Sequence, residues 1–303
     1  MPAPLPSDLS AFDWPAAPGW AGGGAGKGGG DDATAEEAAF RAGAALAHLH
    51  MVMARPDLPL ALWRDRLALG AATANAGISG RREGLPDLRD ALHLARPGDR
   101  PGPAGEIYRA WRRAVTRPLT LRALAPGLPG LPGAASDVVA PGLMRSGPPV
   151  ARAAGMLETV LTEAPRAETA ALILADAALA RALGWDRIVP LLATELAPRD
   201  LRRDGEELRH ACHRAVALAA ARAAGLAQEL TRGAARLRAV APKLRARRAG
   251  EAVALFLTHD ALAPAALRPM MSDRAARRLC DRLVSLGALR ELTGRDSFRL
   301  YGL

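Results

Sequence analysis

The chain has 303 residues, half of them apolar and only 4% aromatic, with 41 Lys and Arg against 31 Asp and Glu for a formal net charge of +10. That apolar share excludes wholesale disorder and allows a sizeable buried core, in two domains or in one large helical one. Two cysteines exclude a disulfide framework and a CxxC metal site, and the most apolar windows are broken by Asp176 and Arg222, short of an unbroken membrane span.

The apolar residues are mostly Ala and Leu, good helix formers, and strand formers are few, so the expected class is mainly α. MPAPLPSDLS, with neither a basic n-region nor an apolar h-region, predicts no signal peptide and a cytoplasmic, reducing location. Residues 1–32 are rich in Pro and Gly and end in GGGAGKGGG, the composition of a flexible tail. Gly26-Lys27 is followed by Gly28 where a phosphate loop needs Ser or Thr, so that run reads as a linker.

A helical domain is expected over residues 33–241. Ala35–Ala54 and Leu58–Ile78 read as long Ala/Leu helices, the first with Asp32 or Thr34 as cap. Pro86 suits the first turn of a helix to Ala95, and Pro103 or Ala104 opens another to Val115. Residues 126–149 are irregular, with one short helix from Ser136. Val150–Glu163 and Ala167–Leu183 pair around the Pro165 turn, and Ile188–Leu196 forms a further short helix.

The strongest periodicity runs from Glu206 to Val240. Cys212, Val216, Ala219, Ala223, Leu226, Leu230, Gly233, Leu237 and Val240 alternate four and three apart, a stripe that buries one helix face. Small residues in the stripe favour a central core helix over a dimeric coiled coil, although the helical domain remains a candidate homodimer surface. Pro242 then interrupts the pattern and marks the boundary of a small module, residues 242–303.

Charge separates along the chain. Of the basic residues only Lys27 and Lys243 are lysine, and Arg rises with Ala, Gly and Pro as GC-rich codons dictate, so location carries more information than amount. Arg232–Leu303 holds fifteen basic against six acidic residues, nearly the whole net charge. A localised excess of this kind is the electrostatic footprint for a polyanion, of which nucleic acid is the commonest.

Within the module, Gly250–Asp260 and Ala263–Leu267 read as short helices. Ser272 caps a third, Asp273–Leu286, with Gly287 as its stop. Ala276, Leu279, Leu283 and Leu286 share its apolar face, while Arg274, Arg277, Arg278 and Arg282 lie away from it. Leu289–Leu292 and Ser297–Tyr301 then read as a β-hairpin around Thr293-Gly294-Arg295-Asp296. Three helices and a hairpin are the order of a winged helix-turn-helix, whose third helix enters the major groove. The candidate DNA-binding residues are therefore Arg274, Arg277, Arg278 and Arg282 on that helix, Arg295 on the wing, and Lys243, Arg245, Arg247 and Arg248 in the basic linker. Asp273 and Asp281 oppose a purely phosphate-gripping face.

The string SDRAARRLCDRLVSLGALRELTGRDSFRLYGL resembles the terminal winged helix of bacterial regulators and Fic-type proteins. The Fic catalytic signature is absent, so that resemblance implies a fold and no catalysis. WRDRLALGAA, LRDALHLARPGDRPGPAG, AVAPKLRARRAGEAV and RELTGRDSFRLYGL make residues 40–303 similar to an alphaproteobacterial family known only as a domain of unknown function, which implies no activity or ligand.

Other chemistries are thinner. Asp90 with His93, and Glu207 with His210, stand three apart on helices as metal ligands in bundles do, with Glu206 and His213 nearby and Glu158, Glu163 or Asp176 as acids from other helices. Surface ion pairing is the simpler reading. Trp111, in YRAWRR, reads as a helix anchor rather than a base-stacking platform. Cys212 and Cys280 read as unreactive. The expectation is a regulatory DNA-binding protein without cofactor or enzymatic activity. The alternatives are a scaffold whose winged helix docks a protein and, third, a metal-dependent enzyme.

Overall fold

The computed structural model describes residues 33–303 except 96–97, 121–123, 125–127, 129, 132–138, 140, 142, 144–145 and 245–247. The expected tail over 1–32, the short helix from Ser136, and Arg245 and Arg247 lie outside the described residues. The elements are α1 (Ala35–Met53), α2 (Leu60–Ile78), α3 (Leu85–His93), α4 (Gly102–Thr116), α5 (Pro149–Glu163), α6 (Glu168–Ala182), α7 (Leu192–Glu195), α8 (Gly205–Val240), α9 (Ala249–Phe256), α10 (Asp273–Ser285), β1 (Arg290–Glu291) and β2 (Tyr301–Gly302). The protein is mainly α, with a two-stranded antiparallel sheet at its C-terminal end.

Local chemistry sets the helix ends. Thr34 and Glu37 form a reciprocal capping box at α1: the Glu37 N–H donates to Thr34 Oγ1 at 3.2 Å and the Thr34 N–H to Glu37 Oε2 at 3.1 Å. Pro86 lies in the first turn of α3, where its missing N–H costs nothing. Ser272 caps α10 by accepting the Ala275 N–H, and Gly287 follows at φ +66°, the left-handed stop that glycine takes without strain.

The 36-residue α8 is the central shaft, and it packs against α1, α5 and α7. Of its predicted stripe, every residue is buried except the half-buried Leu226. Gly233 of that stripe faces Leu303, whose side chain would stand 3.3 Å from an added Cβ. Trp63 of α2 is wholly buried and donates its indole N–H to the Ala223 carbonyl at 2.9 Å, so a large apolar ring reaches the shaft with its polar atom satisfied. Trp111 is likewise buried, hydrogen-bonded to Asn75 Oδ1 at 2.9 Å, as an anchor should be.

Buried Asp176 of α6 accepts the N–H groups of Leu191 at 3.2 Å and Leu192 at 3.0 Å, buried donors at the start of α7 that have no intrahelical acceptor. Desolvation pushes its carboxyl up to about 7, against the lowering effect of those hydrogen bonds.

A second, smaller core gathers Leu237 and Val240 from the end of α8 with Val253, Phe256, Leu279, Cys280, Leu283 and Tyr301. The last turns of the shaft thus belong to the C-terminal core, ahead of Pro242. Ala263–Leu267, expected as a helix, is a 3-10 turn over Pro264–Leu267. The strands are also shorter than expected. The Glu291 carboxylate accepts the N–H groups of Thr293 at 2.9 Å and Gly294 at 2.7 Å, turning the chain out of the ladder after the Leu292–Leu300 hydrogen bond. On the return, exposed Phe298 takes φ +54°, which no strand residue adopts. Leu262 adds an isolated antiparallel bridge to Tyr301, each N–H donating to the other carbonyl at 2.9 Å.

Candidate nucleic-acid interface

Helix α10 is sharply two-faced. Ala276, Leu279, Cys280 and Leu283 are buried in the second core, and Arg274, Arg277, Arg278 and Arg282 are exposed. Positions 274, 278 and 282 repeat every four residues and 277 fills the same side, so the guanidinium groups share one outward strip. Among the described residues no carboxylate lies within ion-pair distance of these four arginines.

Both acids expected to weaken this face are engaged elsewhere. Asp273 is held bidentately by Arg268, at 2.6 Å from Nε and 2.8 Å from Nη2. Those hydrogen bonds keep its carboxyl below the ordinary value, and the Arg277 charge acts in the same direction. Asp281 accepts the Tyr301 hydroxyl at 3.2 Å, turned toward the sheet. The result is an exposed strip of four arginines beside one acid paired by Arg268 and one, exposed Asp281, held by a neutral hydroxyl, a cationic excess that phosphate oxygens complete.

The remaining predicted contacts divide. Lys243 is exposed on a 3-10 turn that follows α8. Arg248 is bound by Glu251, at 2.8 Å from Nε, and its Nη1 donates to the Pro269 carbonyl at 2.8 Å, so it braces α9 against the α10 approach. Arg295 does not project from a wing. Its Nη1 and Nη2 each lie 2.7 Å from a carboxylate oxygen of Asp90 on α3, and Nη2 also donates to the Phe298 carbonyl at 3.1 Å. The hairpin tip is folded back on the helical body because the chain leaves the ladder early and Asp90 supplies a matching fork.

Sequence reasoning missed the largest polar feature, a buried ionic cluster that fastens the C-terminal segment to α2, α3 and α4. Asp260 is fully buried and receives Arg89 Nε at 2.6 Å and Nη2 at 3.0 Å, with Arg66 also against it. The Asp260 N–H donates to Asp65 Oδ2 at 2.9 Å, and Asp65 Oδ1 accepts from Arg112 Nε at 2.6 Å. Burial alone would raise the Asp260 carboxyl, but the Arg89 hydrogen bonds and the Arg66 and Arg89 charges hold it below its ordinary value. His93 beside this cluster is driven down to about 4 by burial and the Arg112 charge. The clue in sequence was charge inside apolar periodicity, at Asp65 in α2 and Arg89 in α3.

The carboxylate–histidine pairs do not converge. Asp90 serves Arg295, His93 is half-buried beside the ionic cluster, Glu206 pairs with Arg209, and Glu158 accepts the Gly205 N–H. Among the described residues no three His, Cys, Asp or Glu side chains assemble a metal-holding group. Both cysteines are buried, and burial pushes the Cys280 thiol up to about 12 and Cys212 further. No helix among the described residues is long and apolar enough to cross a membrane.

Fold and site together define a mainly helical protein with a small mixed C-terminal unit that displays an arginine-faced helix. The chain belongs to the family described as Protein of unknown function (DUF1403), whose sequence model matches residues 6–303. No curated protein matches it.

Proposed function

We propose that this chain is a cytoplasmic regulatory protein that binds double-stranded DNA through α10, with residues 242–303 acting as a winged helix-turn-helix and the helical body supplying a dimerisation or sensing surface. The observation that carries the reading is the exposed strip of Arg274, Arg277, Arg278 and Arg282, whose acidic neighbour Asp273 is already paired by Arg268 while Asp281 turns its carboxylate to the Tyr301 hydroxyl. The order of helix, bridging residue Leu262, short turn, capped helix and antiparallel strands supports the winged-helix assignment. Arg295 and Arg248 leave the contact set, since both serve intramolecular partners; Lys243 stays in it.

Fluorescence anisotropy of a random duplex, titrated with the full chain at low and moderate salt, tests the proposal. Binding that weakens steeply with salt and is abolished in Arg277→Ala/Arg278→Ala is the expected result. No binding at low salt sinks it.

The fold-back of the hairpin tip favours one competing reading, a scaffold that docks a protein partner, because the tip then offers no groove contact. Retention of a protein partner at high salt, with no affinity for duplex DNA, would select that reading.

A further inference from the structure

A groove of about 570 Å³ runs along the outer side of α1, walled by Ala39, Gly43, Ala47, His50 and Met51 and closed on its far side by the start of α5 at Val150. Gly43, Ala47, His50 and Met51 are exposed, and a Cβ on Gly43 would meet nothing within 4 Å. Trp185 fixes the His50 ring by donating its indole N–H to Nδ1 at 3.0 Å. Among the described residues the wall carries no carboxylate, lysine or arginine; its ionisable groups are His50 and His213. Burial lowers the His213 pKa, and the His210 and Arg209 charges act in the same direction. A helix apolar on its outer side as well as its inner one is built to be covered.

We propose that this groove is the docking site of the chain's own segment Leu9–Trp20. Three observations select that occupant. The segment carries Leu9, Phe12, Trp14 and Trp20, with Asp13 as its one charge, and each tryptophan brings roughly 150–250 Å² of surface to bury. It is joined to α1 by residues 21–32, and a Gly-rich chain of that length has an r.m.s. span of roughly 20 Å. The near end of the groove, at Ala39, lies about 6 Å along α1 from the helix start at 1.5 Å per residue, and the groove extends about 18 Å further, so the tether reaches it. Such a tether holds a segment at roughly millimolar effective concentration, so a modest contact suffices. Pro15 and Pro18 restrict the free segment and reduce the entropy lost on docking. The proposal stands independently of DNA binding.

Hydrogen exchange of the full chain tests it. Amides between residues 9 and 20 should exchange about tenfold more slowly than an unstructured peptide, and Ala47→Arg should abolish that protection. Ala47 faces solvent on α1, so the helical content of the variant should be unchanged; Trp14→Ser gives the same loss without touching the body. Exchange at the unstructured rate in the native chain, or protection that survives Ala47→Arg, overturns the proposal. The neutral dye N-phenyl-1-naphthylamine supplies a second readout. It should be excluded from the native chain and should bind the full-length Trp14→Ser/Trp20→Ser protein. Saturable binding to the native chain would mean the groove is open for a small apolar molecule instead. A dimeric mass in sedimentation that becomes monomeric in Ala47→Arg would assign the groove to a second copy.

Discussion

Arg89 and Asp260, 171 positions apart, meet as a bidentate pair buried between α3 and the C-terminal unit. A buried carboxylate that loses a guanidinium partner retains its desolvation penalty. Arg89→Ala should therefore destabilise the protein by about 3 kcal/mol, Arg66 still giving partial compensation. Arg89→Lys, which keeps charge but loses the fork, should fall between. Urea denaturation followed by circular dichroism measures both. A single transition is expected, since the pair joins the two cores; two separate transitions would refute that coupling.

The DNA reading makes a quantitative demand on salt dependence. Replacing Arg274, Arg277, Arg278 and Arg282 by Gln should flatten the slope of log affinity against log salt by about 0.9 for each phosphate that is no longer neutralised. Arg295→Ala should leave that slope unchanged and alter stability little, as solvent screens an exposed pair. An equal drop in DNA affinity in both variants would return Arg295 to the interface.

Two buried groups tilt stability with pH in opposite senses. Unfolded Asp176 ionises near 3.8, while in the fold it holds its proton to about 7, so across that window the folded state binds more protons and stability falls as pH rises. For His93 the unfolded group titrates near 6.5 and the folded one near 4, so stability rises with pH between those values. Asp176→Asn should expose the rising limb, and His93→Gln the falling one. Urea midpoints between pH 4 and pH 7 would show the two slopes separately.

Glycine substitutions should separate sharply by site. A Cβ on Gly302 would stand 2.4 Å from the Asp260 carbonyl oxygen and 3.0 Å from Leu292, so Gly302→Ala must shift the sheet against the ionic cluster and should cost about 1–3 kcal/mol. Gly225 lies exposed within α8 with nothing within 4 Å, and Gly225→Ala should stabilise by about 0.5–1 kcal/mol. Thermal melts of the two variants should move in opposite directions.

The helices were legible because their signals are local. The four-three alternation from Cys212 to Val240, the Thr34 and Ser272 caps and the Gly287 stop each act within a few residues. The arginine face of α10 was equally readable from Arg274, Arg278 and Arg282 at helical spacing. What escaped was partnership. Asp65 and Arg89 interrupt apolar periodicity, but nothing local pairs them with Arg112 or Asp260, and nothing near Arg295 announces Asp90. The hairpin strands came out short for a related reason: side-chain capture by Glu291 overrode the alternating pattern.

One element contributes to both cores. At 36 residues α8 is about 54 Å long, carrying His213 beside the α1 groove near one end and Leu237 and Val240 beneath the arginine helix at the other. Buried residues from Leu208 to Leu230 of this helix lie in the larger core and Leu237 and Val240 in the smaller one, so a break within it, such as Ala227→Pro, should be felt by both cores at once.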